Sequence, residues 1–125
     1  MAVHSLSTIV TLDAPWQSRL RVQDVVSGCR HILVLSGELD IASADQLEAI
    51  VRRVCGKATC EVVLDLTKLT FVDSTGLQAI IAAGELCEEH GREFMLVPGP
   101  KNVQRVFEVT HLTERLPFRS RASAL

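Results

Sequence analysis

Three short runs of consecutive apolar residues, separated by stretches with helical periodicity, constrain the fold of this chain more than any other feature. The runs are Ile32–Leu35, Val62–Leu64 and Phe94–Val97, and the last of them predicts a strand over 93–97. An uninterrupted apolar run of this length is typical of a strand that is buried on both faces of a sheet. Strands that alternate with helices predict right-handed crossover connections and hence a mostly parallel sheet. The sequence therefore predicts an α/β fold.

Three segments carry the helical periodicity. The first begins near Ser43, which predicts a capping box together with Gln46, and it ends at Gly56. The second covers about 74–91, and the third covers about 101–109. The apolar stripe of the first helix consists of Leu47, Ile50, Val51 and Val54.

The region before the first apolar run predicts an antiparallel hairpin and an N-terminal extension. Residues 19–26 alternate loosely and lead through a glycine-containing turn into a strand at 31–36. A short strand is expected at 8–12, within an extension of residues 1–17 that precedes one domain over 18–125. The predicted architecture is a small, mostly parallel sheet with an antiparallel N-terminal strand. Three to four helices are expected to pack mainly on one side of it.

Composition and charge exclude several classes of protein. The chain has 125 residues, 47% of them hydrophobic, and a formal net charge of -2, so it is neither disordered nor strongly basic. It is long enough to bury a core without a disulfide or a metal. No apolar run reaches the roughly 18 residues of a membrane span, and no signal peptide is evident, so we expect a cytoplasmic protein. Its cysteines are scattered and form no C-x-x-C pair, which predicts reduced thiols. They are Cys29, Cys55, Cys60 and Cys87.

Two polar segments, 37–40 and 71–76, stand where parallel strands are predicted to end. Binding sites of open α/β sheets lie beyond the carboxyl ends of the strands, so we expect Asp40 and Ser74 to lie close together. Ser74 begins a predicted helix. A phosphate on Ser74 would therefore meet unpaired N–H groups and the positive end of the helix dipole.

The local sequence pattern leaves other interpretations of Ser74 open. Asp73, Ser74 and Thr75 are all favoured cap residues, and Thr75 with Gln78 fits a capping box, so the segment could serve only to start the helix. Catalysis by Ser74 is not expected, because the sequence has no G-x-S-x-G elbow and its pattern places no histidine nearby. Cys87 and His90 form at most half of a metal site. Phosphate-cradling glycine motifs are missing, so neither a metal nor a cofactor is predicted.

The segments 62–66 and 69–77 resemble the central motif of the STAS domain. The Asp-Ser-Thr-Gly part of this motif stands at positions 73–76 of this sequence. They are most similar to that motif in bacterial anti-sigma factor antagonists. Gly-Glu-Leu-Asp at 37–40 matches the family's second motif. The resemblance runs from about residue 19 to the C-terminus, and the sequence departs from the family in the long segment before that point. The residues that resemble the family's C-terminal helix and the segment after that helix are Val103, Arg105, Val106, Phe107, Leu112 and Leu116.

This resemblance implies a partner switch. Proteins of this kind bind an anti-sigma factor that is also an ATP-dependent serine kinase, and binding frees the sigma factor. The kinase then phosphorylates the motif serine, here Ser74, and a phosphatase restores the unphosphorylated form. The resemblance implies no enzymatic activity, no cofactor, and no nucleic-acid or membrane partner. The alternative is a signalling or ligand-sensing module without phosphorylation. The residues expected to bind the partner are Asp40, Asp73, Ser74, Thr75, Gly76 and Leu77.

Overall fold

The computed structural model describes residues 8–13 and 19–119. Within these residues the chain forms one sheet and three helices. The predicted domain boundary between residues 17 and 18 lies outside the described part. The strands are β1 (Thr8–Asp13), β2 (Leu20–Ser27), β3 (Arg30–Leu39), β4 (Glu61–Val72) and β5 (Glu93–Val97). The helices are α1 (Ala44–Cys55), α2 (Ser74–Glu89) and α3 (Lys101–Val109).

The sheet is mixed. Its described strands follow the order β1-β2-β3-β4-β5, with β2 antiparallel to both β1 and β3. The pairs β3–β4 and β4–β5 are parallel, as expected for strands joined through α1 and α2. The α/β class is therefore confirmed. Antiparallel pairing extends further than predicted, because β1, from the predicted extension, pairs with β2 and forms an edge strand.

The two central strands are longer than their apolar runs indicated. The residues between the second apolar run and the second predicted helix, 67–72, read from the sequence as a loop, and this was wrong: β4 continues to Val72 and stays paired with β3. Two irregularities interrupt the pairing, one after Asp65 and one after Leu69. At the first, the Asp65 carboxylate accepts hydrogen bonds from the Thr67 N–H, at 2.9 Å, and from its hydroxyl, at 2.6 Å. The extension carries the polar motif to the far end of the sheet.

The main core lies on the face of the sheet that the described helices cover. Apolar side chains of all three helices meet those of β2, β3, β4 and β5 there. Among the largest side chains that are fully buried in it are Leu33, Leu35, Leu64, Leu96 and Phe107. A smaller buried cluster, Ile32, Val63 and Val97, lies on the opposite face. The prediction that the helices pack mainly on one side is confirmed. No helix in the described ranges is long and apolar enough to cross a membrane.

The cysteines form two spatial pairs. Cys29 and Cys60 form a disulfide with a Cα–Cα separation of 5.2 Å, so the prediction of reduced thiols was wrong for these two. They come together because each directly precedes one of two neighbouring strands, β3 and β4. Cys55 and Cys87 are free and buried, with their sulfur atoms 3.6 Å apart. The spacing of the cysteines along the sequence gives no sign of either pairing.

Candidate functional site

The two polar motifs meet where β3 and β4 end. Leu39 and Val72 are paired in the parallel register, and the Asp73 N–H donates to the Leu39 carbonyl oxygen at 3.2 Å. Asp40 and Asp73 therefore follow directly on neighbouring strands. The expectation that these segments lie side by side agrees with the structure. We call this surface the Ser74 site and define it by Asp40, Ile41, Phe71, Asp73, Ser74 and Thr75.

Gly76 sets how closely α2 approaches β3. A Cβ atom at this position would collide with the Leu39 carbonyl oxygen and would lie 2.9 Å from its carbonyl carbon. Only a residue without a side chain allows this contact between backbones. Gly76 therefore positions the first turn of α2, and with it Ser74, against the end of β3.

Asp73, rather than Ser74 or Thr75, caps α2. Its backbone is extended, and its carboxylate accepts a hydrogen bond from the Gly76 N–H at 2.8 Å. The predicted alternative in which Thr75 and Gln78 form the capping box was wrong, because Thr75 lies inside the helix. Ser74 is the first helical residue and is exposed. Its hydroxyl has no hydrogen-bond partner among the described residues, so it is free to face a partner.

Asp40 is held in a tight turn before α1. Its carboxylate accepts a hydrogen bond from the Ala42 N–H at 3.0 Å, and its own N–H donates to the Ser43 hydroxyl at 2.9 Å. The Ser43 hydroxyl also lies 3.0 Å from the Glu38 carbonyl oxygen, so it does not cap α1, and the predicted capping box with Gln46 was wrong. Two carboxylates, those of Asp40 and Asp73, are thus fixed by the backbone on either side of the junction between the strands.

Two large apolar side chains are exposed at this end of the sheet. Ile41 is 76% exposed and Phe71 is 46% exposed, and only Val109 joins them among the exposed large apolar residues of the described chain. Exposed apolar groups beside polar ones are typical of surfaces that bind other proteins. Sequence reasoning missed both residues. A large apolar residue within a predicted turn or loop was the signal that could have identified them.

The start of α3 is tied to the same end of β4. The Asn102 side-chain amide donates to the Thr70 carbonyl oxygen at 2.8 Å, and the Thr70 hydroxyl donates to the Gly37 carbonyl oxygen at 3.0 Å. These bonds link the first turn of α3 to the residue before Phe71. The exposed Phe71 ring therefore sits on a braced segment.

Two of the residues predicted to bind a partner face inward. Leu77 is 4% exposed and belongs to the main core, and Gly76 is packed against Leu39. Neither offers a side chain to a partner, and both instead position α2. The predicted partner contacts that remain accessible are those of Asp40, Asp73, Ser74 and Thr75.

Two histidines of the described chain are engaged away from Ser74. His31 lies at the start of β3, buried, with its Nδ1 atom 2.9 Å from an Asp24 carboxylate oxygen. His90 ends α2, with its Nδ1 atom 2.9 Å from the Leu86 carbonyl oxygen. Neither supplies a base to the Ser74 hydroxyl, as a serine nucleophile would require.

Among the described residues, no metal-binding cluster lies at the Ser74 site, and an apolar cleft lies away from it. The described residues contain no group of three or more histidine, cysteine or acidic side chains arranged to hold a metal ion. A cleft of about 360 Å³ lies further along α2, against β5, and its wall is mostly apolar. It is lined by Ile81, Gly84, Glu85, Glu88, Arg92, Phe94, Leu116 and Pro117.

Comparison with known proteins places the chain in a family. The profile of the STAS domain matches residues 20–124. The anti-sigma F factor antagonist of Paenibacillus polymyxa is 34% identical over 92 residues, which cover 70% of this chain and 75% of that protein.

Two solved structures share the fold. The anti-sigma factor antagonist SpoIIAA in its unphosphorylated form matches with a TM-score of 0.65 at 18% identity, over 94% of this chain and 92% of that one. The Bacillus cell fate determinant SpoIIAA in its phosphorylated form matches with a TM-score of 0.59 at 17% identity, over 94% of this chain and 96% of that one. The chain therefore belongs to the STAS domain family and is related to the anti-sigma factor antagonists within it.

Proposed function

We propose that this protein is an anti-sigma factor antagonist that works in the cytoplasm and is switched by phosphorylation of Ser74. The observation that carries the proposal is the exposed Ser74 hydroxyl at the start of α2, at the end of the sheet that also carries two fixed carboxylates and two exposed apolar side chains. The relative from Paenibacillus polymyxa supports the role, and the phosphorylated form of SpoIIAA supports the modification. In this proposal the partner is an anti-sigma factor with serine kinase activity, and a phosphatase resets the protein.

In the unphosphorylated state, Ile41 and Phe71 supply the apolar part of the interface. The Ser74 hydroxyl is neutral and exposed at the same end of the sheet, so the kinase can bind over it and reach the acceptor oxygen. Asp40 and Asp73 keep their carboxylates in the turn and the helix cap, where backbone N–H groups hold them. The surface is therefore rigid before it binds, which lowers the entropic cost of association.

Phosphorylation changes the charge of this surface more than its shape. A phosphoserine carries about -1.5 to -2 charges at pH 7, which would take the formal net charge from -2 to about -4. The N-terminus of α2 offsets only part of this, since a helix dipole stabilises an anion by about 0.3–1 kcal/mol. Repulsion and the cost of desolvating the phosphate then oppose binding of the same partner. The fold itself needs little change.

The exposed apolar pair gives a direct prediction. Replacing Phe71 and Ile41 by serine should weaken binding to the anti-sigma factor at least about tenfold, because buried aromatic and aliphatic anchors carry much of the energy of an interface. Binding is measured by titration calorimetry with the purified cognate kinase. Val109→Ser, which removes an apolar side chain of similar exposure on α3, is the matched control and should bind like the unmodified protein. A double variant that binds as tightly as the control would mean that the binding surface lies elsewhere.

Release of a sigma factor tests the proposed function as a whole. The chain carrying Ser74→Ala is used as bait in the native cell, and captured proteins are identified by mass spectrometry, with an ATPase related to histidine kinases as the expected partner. That partner is then purified in complex with its sigma factor. Adding the unphosphorylated chain should displace the sigma factor, as seen by size-exclusion chromatography. A complex that stays intact at saturating antagonist would rule the function out.

A further inference from the structure

The end of the sheet opposite the Ser74 site carries the chain's four cysteines. Cys29 directly precedes β3 and Cys60 directly precedes β4, and both are exposed. Their disulfide is accompanied by a hydrogen bond from the Cys60 N–H to the Cys29 carbonyl oxygen, at 2.8 Å. The other two, Cys55 at the end of α1 and Cys87 within α2, are completely buried.

The two pairs differ in how a reagent can reach them. An exposed disulfide is open to attack by an external thiolate, whereas a buried thiol is shielded from it. Burial raises the pKa of Cys87, and the neighbouring Cys55 raises it further, so this thiol stays protonated and unreactive. The exposed pair at the start of β3 and β4 is therefore the reactive one.

We propose that Cys29 and Cys60 form a reversible thiol–disulfide exchange site whose redox partner is a low-molecular-weight thiol. This proposal rests on the proposed function in one respect, because it assumes that the protein works in the cytoplasm. A disulfide in a protein that works in the reducing cytoplasm is typically transient rather than structural. The placement at an exposed turn, rather than in the core, fits a bond that is made and broken in the folded protein.

The exchange proceeds in two displacements. An external thiolate attacks one sulfur of the pair, so the Cys29–Cys60 bond breaks, a mixed disulfide forms and the other cysteine leaves as a thiolate. A second external thiolate then attacks the mixed disulfide and releases the first cysteine. Each protein thiolate takes up a proton. The net reaction converts the protein disulfide and two external thiols into a protein dithiol and one external disulfide, and it runs backwards when that disulfide is in excess.

The consequence for the protein is a change in stability and not in the Ser74 site. The disulfide joins residues separated by 31 positions and closes a loop that contains β3 and α1. Closing a loop of this length restricts the unfolded chain, so the oxidised form should melt about 10 °C or more above the reduced form. The Ser74 site lies at the other ends of β3 and β4, and the paired residues of these two strands, from Arg30 to Leu39 and from Glu61 to Val72, include neither cysteine. Redox state would thus set how long the folded antagonist survives.

The test uses the purified full chain in buffers with graded ratios of reduced to oxidised glutathione. Free thiols are trapped by alkylation without denaturant, and peptides are mapped by mass spectrometry. Cys29 and Cys60 should convert together, with the oxidised protein lighter by two hydrogen atoms, while Cys55 and Cys87 stay unmodified throughout. Melting curves across the same series should show the higher midpoint in the oxidised samples.

Single variants keep the result interpretable. Cys29→Ser and Cys60→Ser should each abolish the redox-dependent shift in melting and should melt near the reduced protein. The proposal is overturned if Cys29 and Cys60 never pair in oxidising buffer, if their disulfide resists excess glutathione in the folded protein, or if both states melt alike. None of these measurements involves the kinase or Ser74, so failure of the exchange proposal is distinguishable from failure of the proposed function.

Discussion

Gly76→Ala should lower the free energy of unfolding by about 1–3 kcal/mol, even though alanine is the better helix former. Alanine gains up to about 1 kcal/mol over glycine within a helix. The new methyl group, however, would collide with the Leu39 carbonyl group, and backbone atoms cannot turn aside as a flexible side chain can. The collision therefore outweighs the gain in propensity. Urea denaturation followed by circular dichroism measures the change.

The same variant should also lose binding to the anti-sigma factor, because α2 must move away from β3 and carry Ser74 with it. Gly56→Ala is the matched control, since its Cβ would lie 3.5 Å from the nearest atom, an ordinary contact. It should leave both stability and binding nearly unchanged. If Gly76→Ala proves as stable and as tightly bound as Gly56→Ala, the close approach of α2 to β3 does not position the Ser74 site.

Ser74→Asp should weaken binding to the anti-sigma factor at least about 30-fold, or roughly 2 kcal/mol, because it places a third carboxylate beside Asp40 and Asp73 in a surface that becomes desolvated. The matched control is Ser74→Asn, which has nearly the same size without the charge and should bind almost normally. Affinities are measured by calorimetry at low and high salt, and the loss for Ser74→Asp should shrink as salt screens the charge. An equal loss for asparagine would point to shape rather than charge as the basis of the switch.

The sequence predicted the fold well where the signal was local. Glu93–Val97 and Lys101–Val109 have the predicted boundaries, because an apolar run ended by Pro98 and a short amphipathic stripe are both unambiguous. The extension of β4 to Val72 was missed. That segment alternates irregularly, and what makes it a strand is its pairing with β3, which lies far away in sequence.

The position of the Ser74 site could be predicted from the sequence, but not all of the residues that form it. Parallel strands end together, so the meeting of Asp40 with the Asp73–Ser74 segment followed from topology. The exposure of Ile41 and Phe71 did not, since hydrophobic residues are normally counted toward the core. The Cys29–Cys60 disulfide could not be predicted from the sequence either, because the spacing of two cysteines does not show that the turns carrying them lie side by side.

The most direct test of the proposed switch is the mass of the intact protein after incubation with its cognate kinase and Mg-ATP. The switch predicts the addition of a single phosphate, mapped to Ser74 by peptide fragmentation. Ser74→Ala should acquire none, while Thr75→Ala, the neighbouring hydroxyl control, should still be phosphorylated. A phosphate that persists on the Ser74→Ala protein, or no phosphate on the unmodified protein when the kinase is active on its other substrates, would contradict it.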